Sequence, residues 1–282
     1  VKLLTALASL TSAFVRNARL ADRARSTESR KREHEIAQQI YQRLLPDREP
    51  DYPGLEIAAV CQAAERIGGD YYGFLEMPDG SLGIAMADIS GHGVGAGLYM
   101  AATKGVLQAE AKRMVSPSDL LRRTNEALSA DFSKFDIFAT AFVARFATDA
   151  RRLEYSNSGH HPPLFVREDG RVERLDRGGL ALGVLPNVIY QEESRCFDPG
   201  DVLVVYTDGL IEAKNADNEF YGQERLERVT VGSRNLSAPE LRDQILVDLA
   251  RHTGDIPFHD DVTLVVARGV EPETVSAEDS DE

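Results

Sequence analysis

The chain has 282 residues, 43% of them hydrophobic, with two cysteines and a formal net charge of −14 from 46 acidic and 32 basic side chains. That is enough apolar material for one core of about 200–250 residues plus an appendage, and no run reaches the roughly 18–20 apolar residues of a membrane span. A body this acidic repels nucleic acid, which excludes that class of partner.

The charge is uneven: residues 1–48 carry net +5 and the remainder −19. The chain starts at Val1 without signal-peptide architecture, and is expected to be cytoplasmic and cut from something longer. Cys61 and Cys196 stand in strand-like contexts with no paired spacing, so both read as core thiols of a reducing compartment.

Leu3, Leu7, Leu10, Phe14, Ala21 and Ala24 recur at alternating four- and three-residue steps, interrupted by polar Asn17. This spacing predicts a coiled-coil-like helix over residues 1–45 that pairs two copies of the chain in parallel. A charged run from Arg30 to Glu35 breaks the phase, after which Ile36, Ile40 and Leu44 resume a stripe that Pro46 ends. From Leu55 short strands take over: Leu55 to Gln62, Tyr71 to Met77 and Ser81 to Asp88, the last two joined by the hairpin signal Pro78-Asp79-Gly80. Two helices follow, about Gly95 to Met114 and Ser116 to Asp131, with Ser116 as N-cap and Pro117 at the first helical position. Strands resume at Phe138 to Ala147, Arg152 to Ser158, Pro163 to Arg167, Arg171 to Leu175, Val188 to Phe197 and Asp201 to Thr207. A helix near Ala238 to His252 precedes the last strand, Asp261 to Arg268. Hairpins dominate, so the sheets are expected to be largely antiparallel with helices outside. The acidic segment 270–282 lacks periodicity and is expected to be disordered.

Chemistry concentrates where acids leave apolar strands. Ile84 to Met100 delivers Asp88 to a corner holding Gly91, Gly93, Gly95 and Gly97. Asp70 follows Gly68-Gly69, Asp208 ends another apolar run before Gly209, and Asp260-Asp261 opens the last strand. A single Asp-Gly pair is an ordinary turn. Several aspartates gathered at one end of a sheet repel one another unless cations neutralise them, and all-oxygen ligation selects Mg²⁺ or Mn²⁺ over zinc.

Five motifs, Gly68-Gly69-Asp70-Tyr71-Tyr72, Ala87-Asp88-Ile89-Ser90-Gly91-His92-Gly93, Ser156 to Pro163 (SNSGHHPP), Tyr206 to Ala213 (YTDGLIEA) and Asp260-Asp261-Val262-Thr263, occur in the order found in metal-dependent protein phosphatases of the PPM family. The resemblance is to the bacterial branch of SpoIIE and RsbU and covers about Ile36 to Arg268. It implies an αββα sandwich, two antiparallel sheets flanked by helices, over residues 46–269, with two divalent ions, Mn²⁺ or Mg²⁺, at one edge. By motif, Asp88 bridges the two ions with the Ile89 carbonyl beside it, Asp208 and Asp260 bind one of them, and Asp70 acts directly or through water. Asp261 is the less favoured ligand of its pair, and Asp88 and Asp208 are the principal catalytic acids. The implied reaction is hydrolysis of phosphoserine or phosphothreonine by metal-activated water, without a phosphoenzyme. The implied substrate is a STAS-type anti-sigma-factor antagonist. The stretch from Leu3 to Leu20 also resembles the closing helix of GAF sensor domains, implying a sensor upstream.

Two positions depart from the family pattern. Gly73 replaces an acid, and Ser90 stands opposite the histidine proposed as general acid in eukaryotic relatives. His92 and His161 are candidate substitutes, although a histidine in such a turn commonly braces the loop, and Arg66 is a candidate phosphate contact. Two rival functions remain: a non-catalytic signalling module of the same fold, and a dinucleotide-binding oxidoreductase suggested by the relaxed G-x-G-x-x-A pattern at Gly91 to Ala96.

Overall fold

A computed structural model of the chain describes residues 32, 35–64, 67–113 and 116–272. The leucine seam and its dimer, the sensor-like helix, Arg66 and residues 273–282 lie outside the described residues.

Helix α1 spans residues 35–44. Its packed face differs from the expected stripe: Ile36 and Ile40 are each 57% exposed, whereas Tyr41 is buried, with Ala37, Leu44 and Leu45 against the same core. The 37–41–44 edge meets the domain instead, with the Tyr41 hydroxyl donating to the Asp70 carbonyl at 3.3 Å.

Strands β1 (Leu55–Gln62), β2 (Asp70–Glu76) and β3 (Leu82–Ile89) lead into helices α2 (Gly93–Ala111) and α3 (Pro117–Lys134). Next come β4 (Ala139–Phe146), β5 (Arg152–Ser158), β6 (Leu164–Val166), β7 (Val172–Arg174), β8 (Gly178–Gly179), β9 (Glu193–Cys196) and β10 (Val202–Tyr206). Helices α4 (Asp208–Ile211), α5 (Gln223–Gly232) and α6 (Ala238–Thr253) precede β11 (Val262–Gly269). The expected Ser116 cap is in place, its Oγ accepting from the Asp119 amide, and the structure adds a reciprocal capping box between Ser237 and Glu240 on α6.

One sheet runs β1-β11-β10-β6-β7 and the other β2-β3-β4-β5-β8, with β9 also paired to β5. All pairs are antiparallel except the short β5–β8 ladder. Strand alternation separates three apolar layers. Ile84, Met86, Phe142, Leu203 and Val265 fill the space between the sheets. Ala85, Ala87, Ala141 and Val143 face α2 and α3, while Val202, Val204, Leu264 and Val266 face α5 and α6. Strands covered on both faces read as continuous apolar runs, which is why this sequence shows little two-residue alternation. The order helix, sheet, sheet, helix is the expected αββα sandwich. β3 and β4 are antiparallel neighbours although two helices join them, which is incompatible with a dinucleotide-binding βαβ unit.

Three expectations are corrected. Val188 to Glu192 is not strand, and β9 keeps only Glu193–Cys196. Helix α5, short and without a side-chain N-cap, escaped sequence reading. Cys196 is exposed on edge strand β9 and Cys61 is half-buried, so neither is a fully buried core thiol.

Candidate metal centre

The β2–β3 register sets Asp70 directly opposite Asp88. Alternation puts Asp88 on the same face as Ile84 and Met86, and Asp70 on the same face as Tyr72, so both acids point between the sheets at their rim. The other sheet supplies its acids at the same end, since Asp208 follows β10 and Asp260-Asp261 precede its antiparallel neighbour β11. Gly209 makes this junction possible, because a Cβ there would stand 2.1 Å from the Asp261 carbonyl oxygen.

Burial grades across the group, with Asp70 2% exposed, Asp88 and Asp208 half-buried and Asp260 exposed. Asp88 makes no hydrogen bond among the described residues. Burial, and then the charges of Asp208, Asp260 and Asp261, raise its carboxyl from 3.8 to about 7. Burial and Asp88 push Asp70 well above the usual carboxylate range, against two hydroxyl donors to its Oδ2, Thr207 at 2.8 Å and Thr263 at 2.5 Å. Asp208 is raised by burial and by Asp260, and His161 opposes the shift. No arginine or lysine is among the groups acting most strongly on these carboxylates.

The paired acids of the β11 motif separate cleanly. Asp261 is buried and turned inward, its Oδ1 accepting from the Ala64 amide at 2.9 Å and its Oδ2 from the Gly69 amide at 2.8 Å. It therefore clamps the loop that carries Asp70, and a Cβ on Gly68 would stand 1.9 Å from its Oδ2. Asp260 uses Oδ1 to accept from the Asp261 amide at 2.8 Å and leaves Oδ2 toward solvent. The Ile89 carbonyl oxygen lies against Gly69, where a Cβ would approach to 2.7 Å.

Other predicted positions fall outside this group. Gly73 is on the helix-facing side of β2 with Tyr71, whose hydroxyl a Cβ at 73 would meet at 2.0 Å, so an acid there would not face the aspartates. Ser90 Oγ accepts from the Phe138 amide at 3.0 Å and braces the loop. His92 is the exposed N-cap of α2 and His161 neighbours Asp208. Sequence reasoning gave no role to Thr207 and Thr263, although a threonine beside an acid inside an apolar run is the available signal. It also missed His160, held neutral at about 3 by burial and by His161, its Nδ1 sharing a 2.9 Å hydrogen bond with Thr140, the cross-strand neighbour of Asp88.

The donor set fits hard divalent cations: all oxygen, partly desolvated and without cationic partners. Among the described residues no three His, Cys, Asp or Glu side chains form a closed group about one point, so the acids line a rim. Also among the described residues, no helix is long and apolar enough to cross a membrane.

The chain is similar in sequence and fold to known proteins. The chain is 30% identical over 261 residues to protein IcfG of Synechocystis sp., covering 83% of this chain and 41% of IcfG. It is 30% identical over 239 residues to phosphoserine phosphatase RsbU of Bacillus subtilis, covering 84% of this chain and 70% of RsbU. The SiaA-PP2C domain of Pseudomonas aeruginosa superposes with a TM-score of 0.76 at 21% identity, covering 86% of this chain and 98% of that domain, which establishes the fold. RsbX in complex with magnesium superposes with a TM-score of 0.58 at 20% identity, over 78% of this chain and 98% of RsbX. The profile of the family described as Stage II sporulation protein E (SpoIIE) matches residues 78–269, more than half of the sequence, and the chain therefore belongs to the SpoIIE family.

Proposed function

We propose that the chain is a divalent-metal-dependent protein phosphatase that hydrolyses phosphoserine or phosphothreonine on a partner protein. The observation that carries this reading is the gathering of acids at the rim, where burial and then Asp208, Asp260 and Asp261 raise Asp88 to about 7 and no arginine or lysine is among the main influences on it. The magnesium bound by RsbX and the phosphoserine phosphatase activity named for RsbU support it.

Asp88, Asp208, Asp260 and the Ile89 carbonyl would hold two ions, Mg²⁺ or Mn²⁺, with Asp70 at the inner side. When bound, the ions would supply Lewis acidity that lowers the pKa of water and offsets charge on the phosphoryl oxygens. The chain's own groups do the positioning. Thr207 and Thr263 fix one oxygen of Asp70, leaving the other to orient water, and Asp261 holds the Ala64 and Gly69 amides so that Asp70 keeps its register against Asp88. Asp260, exposed with one uncommitted oxygen, suits ligation, whereas Asp261 has both oxygens engaged. Leaving-group protonation falls to solvent or to His161.

The substrate suggested by family resemblance is a STAS-type antagonist. The exposed Ile36 and Ile40 on α1 and the leucine seam before it suit a parallel homodimer downstream of a sensor domain. Turnover of para-nitrophenyl phosphate with manganese, then of a panel of phosphorylated STAS proteins, tests both levels. Full metal-dependent turnover with every STAS substrate left intact would reject the substrate and keep the chemistry. No turnover of any phosphoester by metal-loaded, folded protein would favour the non-catalytic module.

A further inference from the structure

Asp70 and Asp88 stand on one sheet, whereas Asp208 and Asp260 flank strands of the other. Like charges facing one another across that gap push the two halves apart until cations bind. A buried lysine or arginine between them would offset the carboxylates itself and take the place of the ions, so a spacer here has to be polar and uncharged.

His160 has these properties. It is 5% exposed, and its Nδ1 shares a 2.9 Å hydrogen bond with Thr140 Oγ1. Thr140 lies directly opposite Asp88 in the β3–β4 register, and residues so paired project from the same face, here the one between the sheets. The ring also lies beside the Tyr206 carbonyl, which works against the downward shift that burial imposes on its pKa. Tyr206 is two residues before Asp208. A carbonyl only accepts, so Nδ1 is assigned the Thr140 hydroxyl proton and the ring's own proton is placed on Nε2. Nε2 is buried and closes no hydrogen bond of normal geometry, the kind of orphaned polar atom that a native fold keeps for a reason.

The loop leaves this ring little freedom. The Asn157 carboxamide accepts from the His160 amide at 2.7 Å and donates to the His160 carbonyl at 3.1 Å. Gly159, at φ +67°, runs so close to Ala181 that a Cβ would stand 3.1 Å from the Ala181 amide nitrogen. We propose that His160, together with Thr140, is a positioning residue of the metal centre, a rigid spacer between the strand partner of Asp88 and the chain leading into Asp208 that holds the two halves of the donor set at the separation divalent cations need. Resting on the divalent-metal reading above, this role is pre-organisation: the ring touches neither ion nor substrate, and its loss lets the gap relax and weakens metal binding.

The test measures Mn²⁺ binding to metal-free protein by calorimetry, with circular dichroism melts in EDTA to register folding and stability. Thr140→Val nearly keeps the shape and removes the hydroxyl, and His160→Phe keeps a ring and removes both nitrogens. Each should weaken Mn²⁺ binding about tenfold. Because the two side chains act as one unit, the double variant should lose no more than either single one. His160→Gln, whose amide retains a donor and an acceptor, should recover most of the affinity. If His160→Phe does not fold, weakened binding by Thr140→Val beside near-normal binding by His160→Gln still supports the spacer. Unchanged Mn²⁺ affinity in folded Thr140→Val would overturn the proposal. So would single losses that multiply in the double variant, which would mark two independent packing defects. Folded wild-type protein that binds no Mn²⁺ would remove the divalent-metal reading itself, and the spacer with it.

Discussion

Replacing Asp88 by Asn should stabilise the metal-free protein at neutral and alkaline pH while removing the proposed chemistry. In the folded chain the Asp88 carboxyl titrates at about 7 instead of 3.8, because it is partly buried beside Asp208, Asp260 and Asp261. A folded pKa above the unfolded one means that the folded state holds the proton more tightly. Below about pH 4 both states are protonated and Asp88 costs nothing. Between about 4 and 7 the unfolded chain ionises while the folded one does not, and stability falls by about 1.4 kcal/mol per pH unit. Above 7 both are ionised and the penalty is complete, about three pH units or roughly 4 kcal/mol. Asn keeps the shape and cannot ionise. Urea unfolding in EDTA, followed by far-ultraviolet circular dichroism, should show Asp88→Asn level with wild type near pH 4 and more stable by up to about 4 kcal/mol at pH 8. Manganese at 100 times its Kd should add about 2.7 kcal/mol to wild type and much less to the variant. A variant at pH 8 no more stable than wild type without metal would refute the argument that the rim stores carboxylate repulsion.

The division of labour between the paired acids predicts opposite phenotypes. Asp260→Asn should leave metal-free stability within about 0.5 kcal/mol, since the side chain is exposed, and weaken manganese binding in calorimetry. Asp261→Ala should cost roughly 2–4 kcal/mol in denaturant unfolding because it orphans the Ala64 and Gly69 amides; unchanged stability with lost metal binding would make it a ligand instead. Gly209→Ala, whose Cβ would meet backbone at 2.1 Å, should destabilise by about 1–3 kcal/mol or more and lower manganese-dependent turnover with it. Leu203→Ala, between the sheets, should cost about 2–5 kcal/mol with the metal requirement unchanged.

Local chemistry made much of this protein legible in the sequence. The β2–β3 hairpin and the Ser116 cap followed by Pro117 depend on residues within a few positions of one another, and so do the Asp-Gly motifs at strand ends. Strand existence was clear wherever both faces are covered, as in Val202–Tyr206 and Val262–Gly269, because long apolar runs bounded by turn residues leave little alternative. Features set by distant partners were not legible. The packed face of α1 depends on how Tyr41 meets β2, not on its own Ile36–Ile40 spacing, and the exposure of Cys196 depends on β9 being an edge. The same limit held at the rim. Asp260 and Asp261 are equivalent as letters, and they diverge because the Ala64 and Gly69 amides reach only one of them. Thr207 and Thr263 look like ordinary strand residues until β10 and β11 pair and carry both hydroxyls onto Asp70. Sequence set which groups the chain owns, and tertiary structure decided which of them face the same few ångströms, because register and loop closure are properties of pairs far apart in the chain.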